Sequence, residues 1–327
     1  AGIEEADACL IIGSDPRVEA PVLNSRLRKR YLEGGFKIGV VGPNNDLTYK
    51  YEHLGAGGDT LQHLADGSHA FCETLKAAER PMLILGMGAL SRGDGAAVLA
   101  AARKIANDTG MVLDGWNGFN VLHTAASRVG GLMVGCLPGD GGKTTKQILD
   151  GAKSGDISVV YLLAADEVDT DQLGNAFVIY QGHHGDAGAH KASIIFPSAA
   201  YTEQNGIFVN TEGRIQLAKR AAFPPGEAKE NWAILRALSA ELDAKQPWDT
   251  LAGLRRAMVA EVPHLAQVDE VVENEVQAIE PRDMGKATFR LPIHEFYLTN
   301  PIARASVVMG ECASLAKARA EAPVAAE

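Results

Sequence analysis

The sequence predicts an α/β protein of the doubly wound type, and three observations lead to this fold class. Short apolar runs, several of them ending in glycine, alternate with longer stretches in which apolar residues recur at helical spacing. The runs are rich in β-branched residues, which is typical of strands buried on both faces of a parallel sheet. The alternation of strand and helix then repeats along the chain, as it must where helices connect parallel strands.

The first strand–helix–strand unit lies close to the start of the chain. A buried strand is predicted over 9–13 and an amphipathic helix over 18–32. Gly34 and Gly35 end the helix, and a second strand follows over 36–41. Because parallel neighbours need such a long crossover connection, these elements are expected to begin a parallel sheet.

The same pattern recurs further along the chain. Further strands are predicted over 81–86, 158–163, 176–180 and 192–196, and helices over 95–107 and 146–152. We therefore predict Rossmann-like, doubly wound parallel sheets up to about residue 200, with a seam between two subdomains near 76–80.

The pattern changes after Pro197. Two short β runs over 207–210 and 214–217 flank a turn that contains Gly213, which predicts a hairpin. The remaining predicted elements are helices over 230–242, 251–259 and, weakly, 302–319, with an acid-rich solvated linker or irregular surface segment over 261–280. The predicted domains are a partial Rossmann-like subdomain over 1–80, a second Rossmann-like subdomain with the hairpin over 81–225, and a helical, irregular C-terminal extension over 226–327.

Composition excludes several classes of protein. With 46% hydrophobic residues the chain can bury a core, so disorder is excluded as its main state. The formal net charge of −10 argues against nucleic acid as a partner, and the sequence contains no apolar run long enough to insert into a membrane. The chain opens without Met or a basic leader, which we interpret as an internal start or a processed terminus.

The cysteines are few and scattered. The chain has four, Cys9, Cys72, Cys136 and Cys312, and no two are close in sequence. Zinc and iron–sulfur centres usually draw their thiolates from a tight sequence cluster, so we expect neither in this chain. The scatter fits buried free thiols in a reducing compartment.

The sequences of two glycine-rich turns resemble phosphate-binding loops. The turn 139–144 lacks the first glycine of a P-loop, since that position is Leu137, and an ordinary loop explains it better. The turn at Gly86 and Gly88 lacks the third glycine of a dinucleotide fingerprint, since that position is Ser91. A strand-to-helix turn that permits close packing is the favoured interpretation there, with a nucleotide site as the alternative.

Two polar clusters have a structural and a functional interpretation. His183, His184 and Asp186, with His190 nearby, resemble a metal-ligand cluster at the carboxyl end of a strand. Adjacent histidines in a glycine-rich loop are expected to diverge, so a structural hydrogen-bonding loop is favoured over a metal site. The basic cluster of the first helix, Arg26, Arg28, Lys29 and Arg30, complements the helix dipole or contacts an acidic partner subunit.

Two longer segments, 180–189 and 197–216, are far more specific than these local patterns. The second resembles the signature of the molybdopterin oxidoreductase superfamily, and together they closely resemble the G-type large iron–sulfur subunit of NADH:quinone oxidoreductase, respiratory complex I. Agreement with that family continues over 13–28, 46–49, 53–55, 92–97 and 296–306, so the resemblance spans nearly the whole chain.

The resemblance implies a protein without its own redox centre. In that family the 2Fe-2S and 4Fe-4S clusters lie in a ferredoxin-like N-terminal half, whereas this chain resembles the C-terminal half. Molybdenum enzymes of the superfamily hold a pterin dinucleotide between two Rossmann-like subdomains and a β-barrel, and after Arg214 this chain has too few predicted strands for a barrel. We therefore expect no catalytic, cofactor-binding or metal-binding residue here, and a retained scaffold.

The resemblance also implies a function and a setting. The chain is expected to be the structural half of a peripheral-arm subunit, in a complex that passes electrons from NADH through iron–sulfur clusters to quinone with proton translocation. Expected partners are the N-terminal half and other peripheral-arm subunits, on the cytoplasmic face of a bacterial inner membrane or the matrix side of a mitochondrial one. The alternatives are a fragment of a molybdopterin-dependent enzyme, such as a formate dehydrogenase, and a free-standing nucleotide-binding protein that uses the turn at Gly86.

Overall fold

The computed structural model describes residues 2–271, 279–280, 282–293 and 295–321. The chain forms two compact units. The first contains residues 1–128, 210–214 and 271–294, and the second contains residues 129–209, 215–270 and 295–327.

The first unit is built on a parallel sheet. Its strands are β1 (Ala8–Ile12), β2 (Lys37–Val41), β3 (Glu52–Gly55), β4 (Pro81–Gly86), β5 (Val112–Leu113), β6 (Trp116–Asn117) and β7 (Phe119–Leu122). Its helices are α1 (Pro16–Glu19), α2 (Pro21–Leu32), α3 (Gly58–Ala65), α4 (Phe71–Ala77), α5 (Met87–Leu90) and α6 (Gly95–Asp108). Five strands pair in parallel in the order β3-β2-β1-β4-β7, while β5 and β6 form a short antiparallel pair.

Both faces of this sheet are covered by apolar side chains. Leu10 and Ile12 of β1 point to a core shared with α3, α4 and α6, whereas Cys9 and Ile11 point to a core shared with Leu27 of α2. Alternate residues of one strand are thus buried on opposite faces, which explains its uninterrupted apolar sequence. The predicted doubly wound α/β fold is confirmed.

The second unit contains a smaller sheet and most of the C-terminal helices. Its helices are α7 (Arg128–Met133, which begins at the unit boundary), α8 (Thr145–Ser154), α9 (Ala187–Lys191), α10 (Asn231–Glu241), α11 (Leu251–Glu261), α12 (Pro301–Arg304) and α13 (Val307–Glu321). Its strands are β8 (Val159–Leu163), β9 (Phe177–Gly182), β10 (Ile194–Pro197), β11 (Gly206–Val209) and β12 (Ile215–Ala218). The first three pair in parallel in the order β10-β9-β8, and the last two form the predicted antiparallel hairpin.

This smaller sheet differs from the sequence expectation in its burial. Val160, Leu162, Val178 and Tyr180 pack in a core with α8, as expected. On the other face Val159 is 55% exposed, and Leu163, Phe177 and Ile194 are also exposed. The expectation that strands with β-branched runs are buried on both faces is wrong here, because among the described residues the sheet carries an apolar core on one face only.

The acid-rich segment is more ordered than predicted over its first part. Leu265 is buried, and the backbone N–H of Asp269 donates a 2.7 Å hydrogen bond to the carbonyl of Ile215. This stretch therefore packs beside the hairpin rather than serving as a solvated linker, whereas residues 272–278 lie outside the described part of the chain. No helix among the described residues has the length and apolar character needed to cross a lipid bilayer.

The predicted domain boundaries do not coincide with the limits of the two units. After the boundary predicted at residue 80, β4 pairs with β1 residue by residue from Pro81 to Leu85. A compact unit is a group of residues in contact, and contact alone does not show which segments fold independently. The domains 1–80, 81–225 and 226–327 therefore stay a prediction.

Candidate functional site

Open parallel sheets bind ligands beyond the carboxyl ends of their strands, at the point where the strand order reverses. In the first unit the order reverses between β1 and β4. In the second unit β8, β9 and β10 follow one another across the sheet without a reversal. The carboxyl ends of both sheets nevertheless carry the polar residues that the sequence singles out, and each is described in turn.

Tyr180 and Asp166 form a buried pair at the end of the second sheet. The Tyr180 hydroxyl lies 2.9 Å from Asp166 Oδ2 and 3.2 Å from the carbonyl of His184. The backbone N–H of Gly188 donates to Asp166 Oδ1 at 3.1 Å. Burial raises the pKa of Tyr180, and the neighbouring carboxylate raises it further, so this tyrosine stays a neutral hydrogen-bond donor.

The glycines of segment 180–189 make room for the Tyr180 ring. A Cβ added at Gly188 would lie 2.8 Å from ring atoms of Tyr180, and one at Gly182 would also collide with that ring. Gln181 is fully buried as well, and its amide donates to Asn231 Oδ1 at 2.8 Å. The motif is therefore explained by packing and hydrogen bonding.

His183 and His184 meet instead of diverging as the sequence analysis expected. Their Nδ1 atoms lie 2.5 Å apart and their rings are nearly perpendicular, at 87°. One nitrogen must donate while the other accepts, so the pair is held by a shared N–H. Burial lowers the pKa of His183, and the adjacent His184 lowers it further. His183 is thus kept neutral in a structural contact with His184.

Arg304, from the short helix α12, reaches the same end of the sheet. Its Nε donates to Asp186 Oδ2 at 2.6 Å, and its Nη2 lies 3.6 Å from Glu167 Oε1. Burial alone would raise the pKa of Asp186, but the hydrogen bond from Arg304 holds it below its ordinary value. The loop after β9 is therefore fixed by a cation from the C-terminal part of the chain.

In the first unit, the turn after β1 is stabilised by its own carboxylates. Asp15 Oδ1 accepts the backbone N–H of Arg17 at 3.0 Å and caps α1. Glu19 Oε1 accepts the backbone N–H of Asp15 at 2.6 Å. Burial raises the pKa of Glu19 to about 7, despite the hydrogen bond from Asp15. This carboxyl group therefore titrates near neutrality.

The two glycine-rich turns have the structural roles that the sequence analysis favoured. A Cβ at Gly86 would lie 2.5 Å from that of Ser14, so this strand-to-helix turn depends on close packing. The turn 139–144 is exposed. It follows helix α7, whereas a P-loop follows a strand. Thr144 caps α8 through a capping box with Gln147.

The basic cluster on α2 is largely engaged within the first unit. Arg26 makes two hydrogen bonds to the Glu4 carboxylate, at 2.7 and 2.6 Å, and lowers the pKa of Glu4 to about 2. Arg30 donates to the carbonyl oxygens of Ala6 and Gly34. These residues fasten the start of the chain to α2, while contact with an acidic partner stays a prediction.

The signature around Gly213 is turn chemistry. Asn210 Oδ1 accepts the backbone N–H groups of Glu212 and Arg214 at 3.1 and 2.9 Å, and Gly213 adopts the left-handed region at φ 82°. Arg214 Nε also donates to Glu212 Oε1 at 3.0 Å. These residues shape the hairpin turn.

The cysteines do not fit an iron–sulfur cluster. Cys9 and Cys72 are buried, and burial raises the pKa of both thiols, whereas a cluster needs thiolates. Cys136 is exposed and Cys312 is half-buried. Within the described ranges, no group of three or more His, Cys, Asp or Glu side chains is placed to hold a metal ion.

The carboxyl ends of the sheets do not fit a pterin dinucleotide either. At the second sheet the guanidinium of Arg304 is already paired with two carboxylates, those of Glu167 and Asp186, which disfavours a phosphate group. At the first sheet, the backbone of residues 285–290 lies over the glycines that follow β3 and β4.

Sequence reasoning missed the roles of Tyr180, Asp166, Arg304 and Glu19. Tyr180 and Arg304 lie in segments that carry the family resemblance, but their partners are 14 and 118 residues away in sequence. A single sequence gives no signal for such pairings. Glu19 could have been suspected, since an acid between apolar residues of a predicted helix start has few solvated positions.

Comparisons with known proteins agree with the resemblance drawn from these segments. The family model described as molybdopterin oxidoreductase matches residues 1–241. A second model, described as the C-terminal part of the G-type subunit of NADH-ubiquinone oxidoreductase, matches residues 265–312.

Three curated relatives match almost the whole chain. The NADH-ubiquinone oxidoreductase 75 kDa subunit of Reclinomonas americana is 40% identical over 323 residues, 97% of this chain and 46% of the relative. The G-type subunit of the NADH-quinone oxidoreductase of Rickettsia bellii (strain RML369-C) is 42% identical over 95% of this chain and 44% of the relative. The mitochondrial NADH dehydrogenase [ubiquinone] iron-sulfur protein 1 of Solanum tuberosum is 38% identical over 97% of this chain and 42% of the relative. The chain therefore spans less than half the length of these relatives.

Proposed function

Since this chain belongs to the molybdopterin oxidoreductase family and carries the C-terminal segment of G-type subunits, we propose that it is the structural part of the large subunit of an NADH-quinone oxidoreductase. The whole complex would pass electrons from NADH through iron–sulfur clusters to quinone and translocate protons. The observation that carries the proposal is the 38–42% identity to subunits of that complex over 95–97% of the chain.

A structural role agrees with the physical character of the first unit. Electron transfer needs fixed distances between carriers, and a parallel sheet packed on both faces provides a stiff neighbour. In the second unit, polar residues at the carboxyl end of the sheet form hydrogen bonds with one another. Examples are the pair of Tyr180 with Asp166 and that of Arg304 with Asp186. None of these pairs presents a free nucleophile or a base at an open surface.

The clusters are proposed to lie in the part of the subunit that corresponds to the remaining length of the relatives. The relative from Solanum tuberosum is named an iron-sulfur protein, and this chain covers 42% of it. We place the 2Fe-2S and 4Fe-4S clusters in a ferredoxin-like N-terminal half, and no catalytic or ligand residue in the chain itself.

The partners and the setting are proposed on the same basis. The chain would pack against that N-terminal half and against other peripheral-arm subunits, without contact to nucleic acid and without inserting into the membrane. The complex would lie on the cytoplasmic face of a bacterial inner membrane or on the matrix side of a mitochondrial one. The division of this part into the subdomains 1–80 and 81–225 and the extension 226–327 is kept as a proposal from the sequence.

Metal analysis of the purified 327-residue chain tests the structural role. We expect iron and molybdenum far below one atom per chain, while the full-length subunit purified in parallel contains iron. Stoichiometric iron in the chain itself would contradict the proposal, because it would place a redox centre among these residues.

The second candidate function is that of a molybdopterin-dependent enzyme such as a formate dehydrogenase. The match of residues 1–241 to the molybdopterin oxidoreductase model is the observation in its favour. Denaturing the chain and measuring released pterin by fluorescence separates the two candidates. Stoichiometric pterin together with molybdenum would support the enzyme, and its absence beside an iron-loaded full-length subunit would support the structural role.

A further inference from the structure

The carboxyl end of the first sheet is crossed by a segment from late in the chain. This segment, Met284–Arg290, is called the strap below. Thr288 bridges Gly57 in the antiparallel sense, and the backbone N–H of Phe289 donates to the carbonyl of Ala56 at 2.8 Å. The strap therefore continues the hydrogen bonding of the loop that follows β3.

The glycines that follow the strands leave room for the strap. A Cβ added at Gly57 would lie 2.6 Å from the carbonyl oxygen of Ala287, and the nearest atoms to a Cβ at Gly58 would be those of Met284 and Gly285. Both positions have backbone angles that any residue can adopt, since neither has a positive φ. Their lack of a side chain is thus required by the strap.

Side-chain contacts anchor the strap to the rest of the first unit. Phe289 is 2% exposed and belongs to the core beside α3, α4 and α6. The guanidinium of Arg92 lies over the Phe289 ring, 5.2 Å from its centroid, and donates to the carbonyl oxygens of Ala287 and Thr288. Arg92 is itself held by Asp94 at 2.7 Å.

Asp94 completes the attachment from the other end of the strap. Its Oδ2 accepts the backbone N–H of Gly285 at 2.8 Å. The hydrogen bond from Arg92 is the main cause that lowers the pKa of Asp94 to about 2, so the carboxylate stays charged at all ordinary pH values. The strap is thus held by the burial of its own Phe289 ring, by the guanidinium of Arg92 and by the carboxylate of Asp94.

We propose that the crevice beyond β1 and β4 is a peptide-binding site whose ligand is the strap of the same chain. In doubly wound folds this crevice takes nucleotide phosphates, which approach glycine-rich turns closely. Here the carbonyl oxygen of Arg290 occupies the space over Gly88, so a phosphate has no access. The crevice is converted from a ligand site into an attachment point.

The crevice and the strap lie in regions of the chain that two different family models match. The crevice lies within residues 1–241, which the molybdopterin oxidoreductase model covers, and the strap lies within residues 265–312, which the model of the G-type C-terminal part covers. The segment that closes the crevice therefore lies in the region matched by the model of the G-type C-terminal part. Strap binding is a property of the first unit and is independent of assembly with other subunits.

Trypsin cleavage of the full 327-residue chain tests the proposal. Lys286 and Arg290 are cleavage sites within the strap, and cleavage requires the strap to leave the crevice. Gly58→Ala and Gly57→Ala place a methyl group against strap backbone, whereas Gly139→Ala meets no atom within 4 Å beyond its chain neighbours and is the matched control. We expect cleavage at both sites to be at least about tenfold faster in the first two variants than in the wild type and the control.

A second variant and a ligand measurement keep the test decisive. Arg92→Ala removes an anchor from the opposite side and is expected to accelerate the same cleavages, even if an alanine at Gly58 disturbs folding. Millimolar ADP is expected to leave the melting temperature of the wild type unchanged. Equal cleavage in the wild type, Gly57→Ala, Gly58→Ala and Arg92→Ala would overturn the proposal, and so would stabilisation of the wild type by ADP.

Discussion

Arg304 Nε and Asp186 Oδ2 lie 2.6 Å apart, although 118 residues separate them in sequence. Both side chains are largely withdrawn from solvent, so the hydrogen bond is charge-assisted and weakly screened. Glu167 adds a second carboxylate at 3.6 Å from Nη2. This one guanidinium therefore joins α12 to two loops at the carboxyl end of the second sheet.

Arg304→Gln is expected to destabilise the second unit by about 1–3 kcal/mol, because it leaves a partly buried carboxylate without its cation. Urea unfolding followed by the fluorescence of Trp232 and Trp248, which belong to this unit, measures the change. Lys153→Gln, on the exposed end of α8, is the matched control and should shift stability by no more than about 0.5 kcal/mol. Equal effects of the two substitutions would show that the Asp186 contact adds nothing.

The sequence predicts some strands and misses others, and the difference lies in what stabilises each strand. β1, β2 and β4 were predicted because their apolar runs are continuous, and continuous runs are what burial on two faces requires. β3 and β7 were missed, because these four-residue strands are short and mix polar with apolar residues. They are strands because they complete the hydrogen bonding of their neighbours, which local sequence does not encode.

The candidate sites were predictable in type but not in detail. The turn at Gly86 was interpreted as a close-packing turn, and it is one. The atoms that come close to it, from Ser14 and Arg290, lie on other loops, so the reason for each glycine could not be derived from spacing. The His183–His184 contact was likewise missed, because ring orientation depends on the burial of the whole loop.

Tyr180→Phe is expected to cost about 1–3 kcal/mol of folding free energy. The substitution keeps the buried ring but removes the hydroxyl that donates to Asp166, and it leaves a buried carboxyl oxygen without that partner. Thermal unfolding of the variant checks the loss. Tyr201→Phe removes a hydroxyl from a side chain that is 64% exposed, and we expect no measurable change. If both variants have the melting temperature of the wild type, the hydrogen bond to Asp166 contributes nothing to stability.

Glu19 is expected to make stability depend on pH near neutrality. Its pKa is about 7 in the folded chain and 4.5 when unperturbed, so the folded state binds the proton more tightly. This stabilisation is complete below about pH 4.5 and is lost progressively as the pH rises through about 7. The carboxylate then stays in a site that disfavours its charge.

Glu19→Gln removes this titration while preserving the size of the side chain. Allowing for partial solvent access, we expect the variant to gain about 1–2 kcal/mol relative to the wild type between about pH 5 and about pH 8. Urea unfolding across that range measures the difference. Glu33→Gln, exposed at the end of α2, serves as the control and should change stability by no more than about 0.5 kcal/mol. A flat difference for Glu19→Gln as well would contradict the raised pKa.

Ile84→Asp tests whether the proposed complex depends on the first unit as a rigid body. Ile84 is 1% exposed in the interior strand β4, and an unpaired charge there is expected to cost about 4 kcal/mol or more. Val22→Asp places the same charge on a side chain of α2 that is 78% exposed, with an expected cost below about 0.5 kcal/mol. In the full-length subunit, native electrophoresis and NADH oxidation should show that assembly and activity are lost together with Ile84→Asp and retained with Val22→Asp. A structural subunit acts only through its shape. Normal assembly around an unfolded first unit would therefore mean that the complex does not need this unit as a scaffold.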